Sequence, residues 1–315
     1  MARRLWTPAL ALALAGVAAA GFWILPVRGA ASAVPAGRPP CGGEAVSEDT
    51  FPALTAAQTA EVPANRPESF LPDPARLEAL QAKEGATVLM SQFSTRFTHA
   101  SDSQAANIAL TARKLAGTVI APGAVFSYNA AAGPFTAAGG YGWGRMFVGD
   151  RIVPTIGGGV CQGASTLYNT VLLANLPVVE RHQHGLTVPY LPPGRDATVT
   201  ESGGLDFRFR NNTRWPLVLW AQAQDRTLTM AIYGHQAPPK VEIETKVLAT
   251  YPFSTRYVRD PKLAPGEEQV VAPGQDGAKS TTWEIVETPQ GPRRRLLSQD
   301  QYRPSPRIVL RGPTS

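Results

Sequence analysis

Cys161 is the residue in this chain best placed for covalent chemistry. It follows Gly157, Gly158 and Gly159, precedes Gln162, and stands where an apolar helical periodicity begins. A helix N-terminus presents unpaired N–H groups and a partial positive charge, and a thiol held there ionises more readily than a free one. Three glycines let the backbone approach a substrate closely. The N–H groups of such a turn suit an oxyanion, and Gln162 adds a side-chain donor. A thiolate nucleophile needs a base, which points to His184 downstream, with Asp196, Glu180 or Asp206 to orient its imidazole. The order cysteine, histidine, acid is that of papain-like and transglutaminase-like enzymes. The same residues have a structural reading: Cys161 as a small buried side chain and His184 as a hydrogen-bonding core histidine. A sulfur within ~4 Å of a His184 nitrogen in an open cleft separates the two readings.

Other chemistries fit less well. Cys161, His182 and His184 have no recognised metal-ligand spacing, so no metal is expected. The glycine run lacks the Lys and Ser/Thr of a phosphate-binding loop, and no cofactor is expected. Trp143 and Tyr141 suit stacking on a sugar ring and equally suit a core. His99 and His235 read as loop residues.

These groups must be held by regular elements. Ala164, Leu167, Tyr168, Val171 and Leu172 recur at helical spacing, so a helix runs on from Cys161 until Asn175 and Pro177 stop it. His184 then falls on or beside the first strand after that helix. Upstream, residues 87–93 read as a strand, 103–115 as a helix containing Asn107, 126–129 as a strand end, and 133–144 as a glycine- and aromatic-rich loop. Downstream the period is two: Leu205, Phe207 and Phe209, then Leu217, Leu219 and Ala221, then Leu228, Met230 and Ile232, with turns at Asn211-Asn212 and Gln224-Asp225. That pattern predicts an antiparallel meander. The fold class is therefore α+β, a helix packed on an antiparallel sheet, followed from residue 239 by a small, elongated all-β domain of low apolar content.

The chain has 315 residues, 43% hydrophobic and 17% charged, which supports a real core. Its net charge of +6 suits an anionic partner. The basic residues are scattered, and without a zinc-finger or helix-turn-helix cue a nucleic acid is not expected. Arg3 and Arg4, the apolar run from Leu5 to Pro26, and Ala31-Ser32-Ala33 make residues 1–33 a signal peptide or a retained membrane anchor. Either places the rest of the chain outside the cytoplasm, with the membrane touched only through that anchor. Eight prolines between residues 34 and 75 mark 34–86 as a tether, with a short helix near 76–85. The two cysteines, Cys41 and Cys161, are free to pair in an oxidising compartment.

From Ser91 to Gly234 the sequence resembles the VanW-like domain. The matching stretches are Asn107-Ile108, the run from Pro122 to Asn129, Gly133-Pro134, Gly140-Tyr141, GGGVCQGASTLYN from Gly157 to Asn169, Glu180-Arg181 with His184, and Asp196 to Val199. The resemblance, assigned over 87–238, implies an envelope or peptidoglycan setting and, by the family's name, a link to vancomycin resistance; it assigns no reaction. Within the matching stretches, Gly157, Gly158, Gly159, Ser165, Thr166, Tyr168, Asn169, Asn107, Asn129, Tyr141, Glu180 and Arg181 are the expected substrate contacts, around the catalytic set read above from residue chemistry: Cys161, His184, Asp196 and Gln162. Two departures matter. Gly163 and Ala164 stand where the family usually has Val and Ser, which removes a hydroxyl at 164, and Gly185 replaces the usual Ser after the histidine. Residues 239–315 are similar to the five-glycine domain of cell-wall proteins, with Gly266, Gly274, Gly277, Gly291 and Gly312 at its spaced positions. That similarity implies peptidoglycan, or another glycan containing N-acetylglucosamine, as the partner. The expected functions are a peptidoglycan amidase, peptidase or transpeptidase, a non-catalytic wall-binding protein, or an envelope assembly partner.

Overall fold

Helix Val160–Leu173 is enclosed on nearly every side: twelve of its residues, from Val160 to Leu172, are buried, the polar Gln162, Ser165, Thr166, Asn169 and Thr170 among them. The computed structural model describes residues 69–148, 151–201 and 204–313. The leader, most of the tether and Cys41 lie outside them. In chain order the elements are α1 (Pro74–Glu84), β1 (Val88–Arg96), α2 (Asp102–Leu115), β2 (Thr118–Ile120), β3 (Val125–Ser127), α3 (Tyr128–Ala132), β4 (Trp143–Val148), β5 (Arg151–Ile156), α4 (Val160–Leu173), β6 (Val178–Glu180), β7 (Arg208–Arg210), β8 (Leu217–Gln224), β9 (Thr227–Gly234), β10 (Val241–Tyr251), β11 (Thr255–Arg259), β12 (Glu268–Gln275), β13 (Gly277–Val286), β14 (Arg293–Tyr302) and β15 (Ser305–Arg311).

The first domain is a helix layer on an antiparallel sheet ordered β1-β9-β8-β2. Helix α4 packs on β1 and β9, and α2 packs on β8. Strand β8 is buried on both faces. Leu217, Leu219, Ala221 and Ala223 join the main core with Leu167 and Val171 of α4, and Trp220 points the other way onto Leu77 and Leu80 of α1. Helix α2 begins with a reciprocal cap, in which Ser101 Oγ accepts from the Gln104 backbone N–H and Gln104 Oε1 accepts from that of Ser101. The β8–β9 hairpin turns through Asp225 and Arg226, both left-handed at φ 50° and 55°, the pairing a two-residue hairpin requires.

Three departures from the sequence pattern have local causes. Strand β7 does not continue the meander: it pairs with β3 and β6 in a separate three-stranded sheet. The chain turns a corner at the fully buried Asn211, whose Nδ2 donates to the carbonyls of Ile120 and Trp215. Tyr128 and Asn129 enter α3 rather than a strand, because Ser127 Oγ accepts from the Ala130 N–H and caps one helical turn. The loop at 133–144 runs into a hairpin, β4–β5, that the glycine-rich sequence did not announce.

The C-terminal domain is all β, as its short polar runs imply. Its two three-stranded sheets are ordered β10-β13-β14 and β11-β15-β12, with β11 parallel to β15. Its core is thin. Among its described residues, the buried apolar side chains are Ala278, Tyr302 and Val309. Ile243 and Leu297 pack against the core of the first domain. No helix among the described residues is long and apolar enough to cross a membrane.

Candidate active site

The glycine run is shaped by what lies behind it. Gly157 and Gly159 adopt φ of 82° and 105°, and a Cβ on Gly159 would sit 3.1 Å from the Gln104 carbonyl. Asn107 fixes the run from α2: its Nδ2 donates to the carbonyls of Gly142 (3.0 Å) and Gly158 (2.9 Å), and its Oδ1 accepts from the Gly142 N–H (2.7 Å). Tyr128 Oη donates to the Val160 carbonyl at 2.8 Å. The turn delivers Cys161 as the second residue of α4, in the first-turn field that favours a thiolate. Cys161 is a free thiol. Its sulfur lies 3.6 Å from Thr198 Oγ1 and 3.4 Å from the Val199 carbonyl.

His184 hydrogen-bonds Asp196 and is electrostatically coupled to Cys161, each favouring the charged form of the other. Nδ1 lies 2.6 Å from Asp196 Oδ2, which leaves Nε2 for the thiol. Asp196 Oδ2 also accepts from the His184 backbone N–H at 2.8 Å, so side chain and main chain of the histidine are held by one oxygen. Oδ1 accepts from Arg181 (3.2 Å) and from Tyr302 Oη (2.5 Å). Burial opposes the charged form of all three groups, and their mutual contacts overcome it. His184 is raised to about 9 because Asp196 and Cys161 hydrogen-bond and attract its proton against that desolvation. Asp196, desolvated but facing His184, Arg181 and Tyr302, is held down at about 2. Burial would raise the Cys161 thiol, but the His184 hydrogen bond and charge outweigh it and leave the thiol below its ordinary value. The pair is thus electrostatically biased toward thiolate and imidazolium.

Of the three carboxylates that sequence offered for orienting the histidine, only Asp196 reaches it. Glu180 takes His182 Nε2 at 2.9 Å, and Asp206 binds Ser127 Oγ at 2.5 Å and the Asn129 N–H at 2.9 Å. Gln162 differs from its expected role as a free donor. Its Nε2 donates to Thr95 Oγ1 (2.9 Å) and to the Arg96 carbonyl (3.1 Å), so both amide hydrogens are engaged.

A cleft of about 1070 Å³ opens over this cluster, ample for a short polymer segment. Cys161, His184, Gly157, Gly158, Gly159 and Gln162 line it. The remaining expected contacts do not line it, because their polar atoms are spent on the scaffold. Ser165 Oγ bridges the Ala197 N–H and carbonyl, and Thr166 meets Thr95. Asn169 donates to the Ser165 and Arg195 carbonyls. Asn129 Nδ2 donates to the Thr200 and Leu205 carbonyls, and Tyr141 Oη to that of Ala132. Tyr168 packs edge-on against Phe207 beneath the Arg181 guanidinium. Asn107, Glu180 and Arg181 are engaged as above. The wall also includes residues that the sequence did not mark, among them Arg96, Gln104, Tyr190 and Glu201, together with His99, read as a loop residue. Trp143 resolves the aromatic alternative: it lines the cleft, whereas Tyr141 is core.

Residues 103–233 match the family described as VanW like protein, and residues 242–314 match the G5 domain. The chain is 37% identical over 149 residues to the uncharacterized protein YoaR of Bacillus subtilis (strain 168), covering 47% of this chain and 49% of that one. It is 27% identical over 139 residues to the vancomycin B-type resistance protein VanW of Enterococcus faecalis (strain ATCC 700802 / V583), covering 42% and 50% respectively. It therefore spans about half the length of these curated relatives. Among solved structures, the G5 domain of IgA1 protease is matched at 25% identity with a TM-score of 0.18, over 26% of this chain and 100% of that one.

Proposed function

We propose that this chain, which carries a VanW-like domain at 103–233 and a G5 domain at 242–314, is a cysteine-dependent acyl-transfer enzyme of the cell envelope acting on amide bonds of peptidoglycan. The two domains support a cell-wall-associated protein; the reaction and the bond rest on the site. One observation carries it: His184, held by Asp196 through Nδ1, lines the same open cleft as the Cys161 thiol, which it lowers. A sulfur sealed in the helix–sheet core would have favoured binding alone.

The Cys161 thiolate adds to the carbonyl carbon of the bound amide, and the first turn of α4 faces the developing oxyanion. The His184 imidazolium gives its proton to the leaving nitrogen as the C–N bond breaks, which leaves a thioester on Cys161 and a neutral imidazole. That imidazole takes a proton from the incoming water or amine, which attacks the thioester and regenerates the thiolate–imidazolium pair. Water gives hydrolysis and an amine gives transpeptidation. Asp196 keeps Nε2 aimed at the sulfur throughout. The signal-like sequence of residues 1–33 supports an extracytoplasmic position, and the G5 domain supports a glycan-containing partner.

The test compares wild type with Cys161→Ala on purified sacculi, with the released and remaining muropeptides resolved by mass spectrometry. Changed amide connectivity with wild type and none with the variant is expected. Equal change, or equal absence of change, in both proteins contradicts the proposal.

A further inference from the structure

Residues 181–199 carry both His184 and Asp196, yet they contain no helix or strand. A loop of that length has no hydrogen-bond ladder to hold it, while acyl-transfer chemistry tolerates displacements of only ~0.5 Å. Helix α4 pins its far end through Ser165 and Asn169, and the C-terminal domain holds the rest. The Arg303 N–H donates to the Gly185 carbonyl at 2.8 Å, and Gln183 Nε2 to the Gln301 carbonyl at 2.8 Å. Gln275 Nε2 reaches the Thr187 carbonyl at 2.5 Å, and Thr282 Oγ1 the Gly194 carbonyl at 3.2 Å. At Gly194 the contact is close enough to exclude any side chain: φ is 97°, and a Cβ would stand 2.3 Å from Thr282 Oγ1.

The contact continues to the acid itself. Tyr302, the last residue of β14, is 1% exposed and donates to Asp196 Oδ1, while its oxygen accepts from the Gly194 N–H at 2.7 Å. Asp300, two residues earlier, takes Arg181 Nη1 at 2.6 Å, and the same guanidinium pairs with Asp196. Oδ1 is thereby occupied from the C-terminal domain and from Arg181, and Oδ2 is left to His184. Resting on the acyl-transfer reading above, we infer that the G5 domain is part of the active site: Tyr302, with Asp300 acting through Arg181, positions Asp196 and so sets the Cys161–His184 pair. Both are positioning residues, since neither lines the cleft.

The ionisable groups facing this cluster are Tyr128, Tyr168, Tyr190, Tyr302, Arg181 and Asp300. Burial raises all four tyrosines above their ordinary value, so each remains a neutral donor across the neutral range. A change in the Cys161 titration on altering Tyr302 therefore reports altered geometry at Asp196.

The experiment uses the full chain and iodoacetamide. Alkylation at Cys161 is followed by peptide mass spectrometry across pH in wild type, Tyr302→Phe, Asp300→Asn and the exposed control Tyr257→Phe. The wild type and the control should label at a pH below the ordinary thiol range. In Tyr302→Phe the profile should move upward, with labelling at neutral pH falling roughly tenfold, the size of one hydrogen bond to a charged group. Asp300→Asn should move it in the same direction by less, and it decides the matter if Tyr302→Phe fails to fold. A depressed wild-type profile left unchanged by every folded variant overturns this inference alone. An ordinary thiol profile in the wild type overturns the acyl-transfer reading, and this inference with it.

Discussion

His184 meets Asp196 twice through one oxygen: Oδ2 accepts from Nδ1 at 2.6 Å and from the backbone N–H at 2.8 Å. A carboxylate that grips ring and main chain together fixes both the tautomer and the ring plane, which is what a base must have to face a thiol. Asp196→Asn keeps the shape and loses this selection. Turnover is expected to fall by roughly a thousandfold or more, with a much smaller change in KM, measured by steady-state kinetics on a defined muropeptide.

The pH dependence follows from the same pair. The reactive form needs Cys161 ionised and His184 protonated, so kcat/KM should be bell-shaped, rising below the ordinary thiol value of 9.0 and falling as pH passes about 9. For stability, the raised His184 contributes fully below its ordinary 6.5, and that contribution is lost as pH climbs through about 9. The depressed Asp196 contributes above its ordinary 3.8, and that contribution is lost as pH falls toward about 2. Thermal melts should therefore show an acid loss between these two values that is smaller in Asp196→Asn.

Gly163 occupies the helix position next to Gln162 for a packing reason. A Cβ there would come 2.1 Å from Tyr128 Oη and 2.9 Å from Thr111 Cγ2. Gly163→Ala should destabilise the protein by about 1–3 kcal/mol despite the better helix propensity of alanine. Adding Tyr128→Phe, which removes the clashing oxygen, should return part of that loss. Denaturant melts of the two single variants and the pair measure the coupling.

Gln162 separates scaffold from catalysis. Gln162→Ala leaves Thr95 and the Arg96 carbonyl without their donor, and should cost about 1–3 kcal/mol of stability. Its kcat at a temperature where it is folded should stay within a few fold of wild type. An oxyanion donor would instead lose about 10²–10³-fold.

The parts of this site set by local pattern were legible in sequence. The 3.6-residue recurrence of Leu167, Tyr168, Val171 and Leu172 located α4, and the glycines before Cys161 located its start. What pattern could not settle was which carboxylate meets His184, because Glu180, Asp196 and Asp206 are equivalent by type and the loop at 181–199 has no period. The same limit hid β7, whose alternation resembles that of β8 while the buried Asn211 sends it to another sheet. Polar residues of the matching stretches, such as Asn107, Ser165 and Asn169, read as substrate contacts. Polar side chains that pin loops to a buried helix carry the same signature as those that bind a ligand. Tyr302, a lone tyrosine 106 residues beyond Asp196, carried no local signal at all.

The most direct test of the central claim is to look for the covalent intermediate. Wild-type protein is incubated with peptidoglycan stem-peptide fragments, quenched in acid, digested and analysed by mass spectrometry at the peptide containing Cys161. The expected result is an acyl adduct on Cys161 that neutral hydroxylamine removes and that accumulates in wild type but not in His184→Ala. Changed muropeptides formed with Cys161 never acylated, or formed equally well by Cys161→Ala, would contradict it.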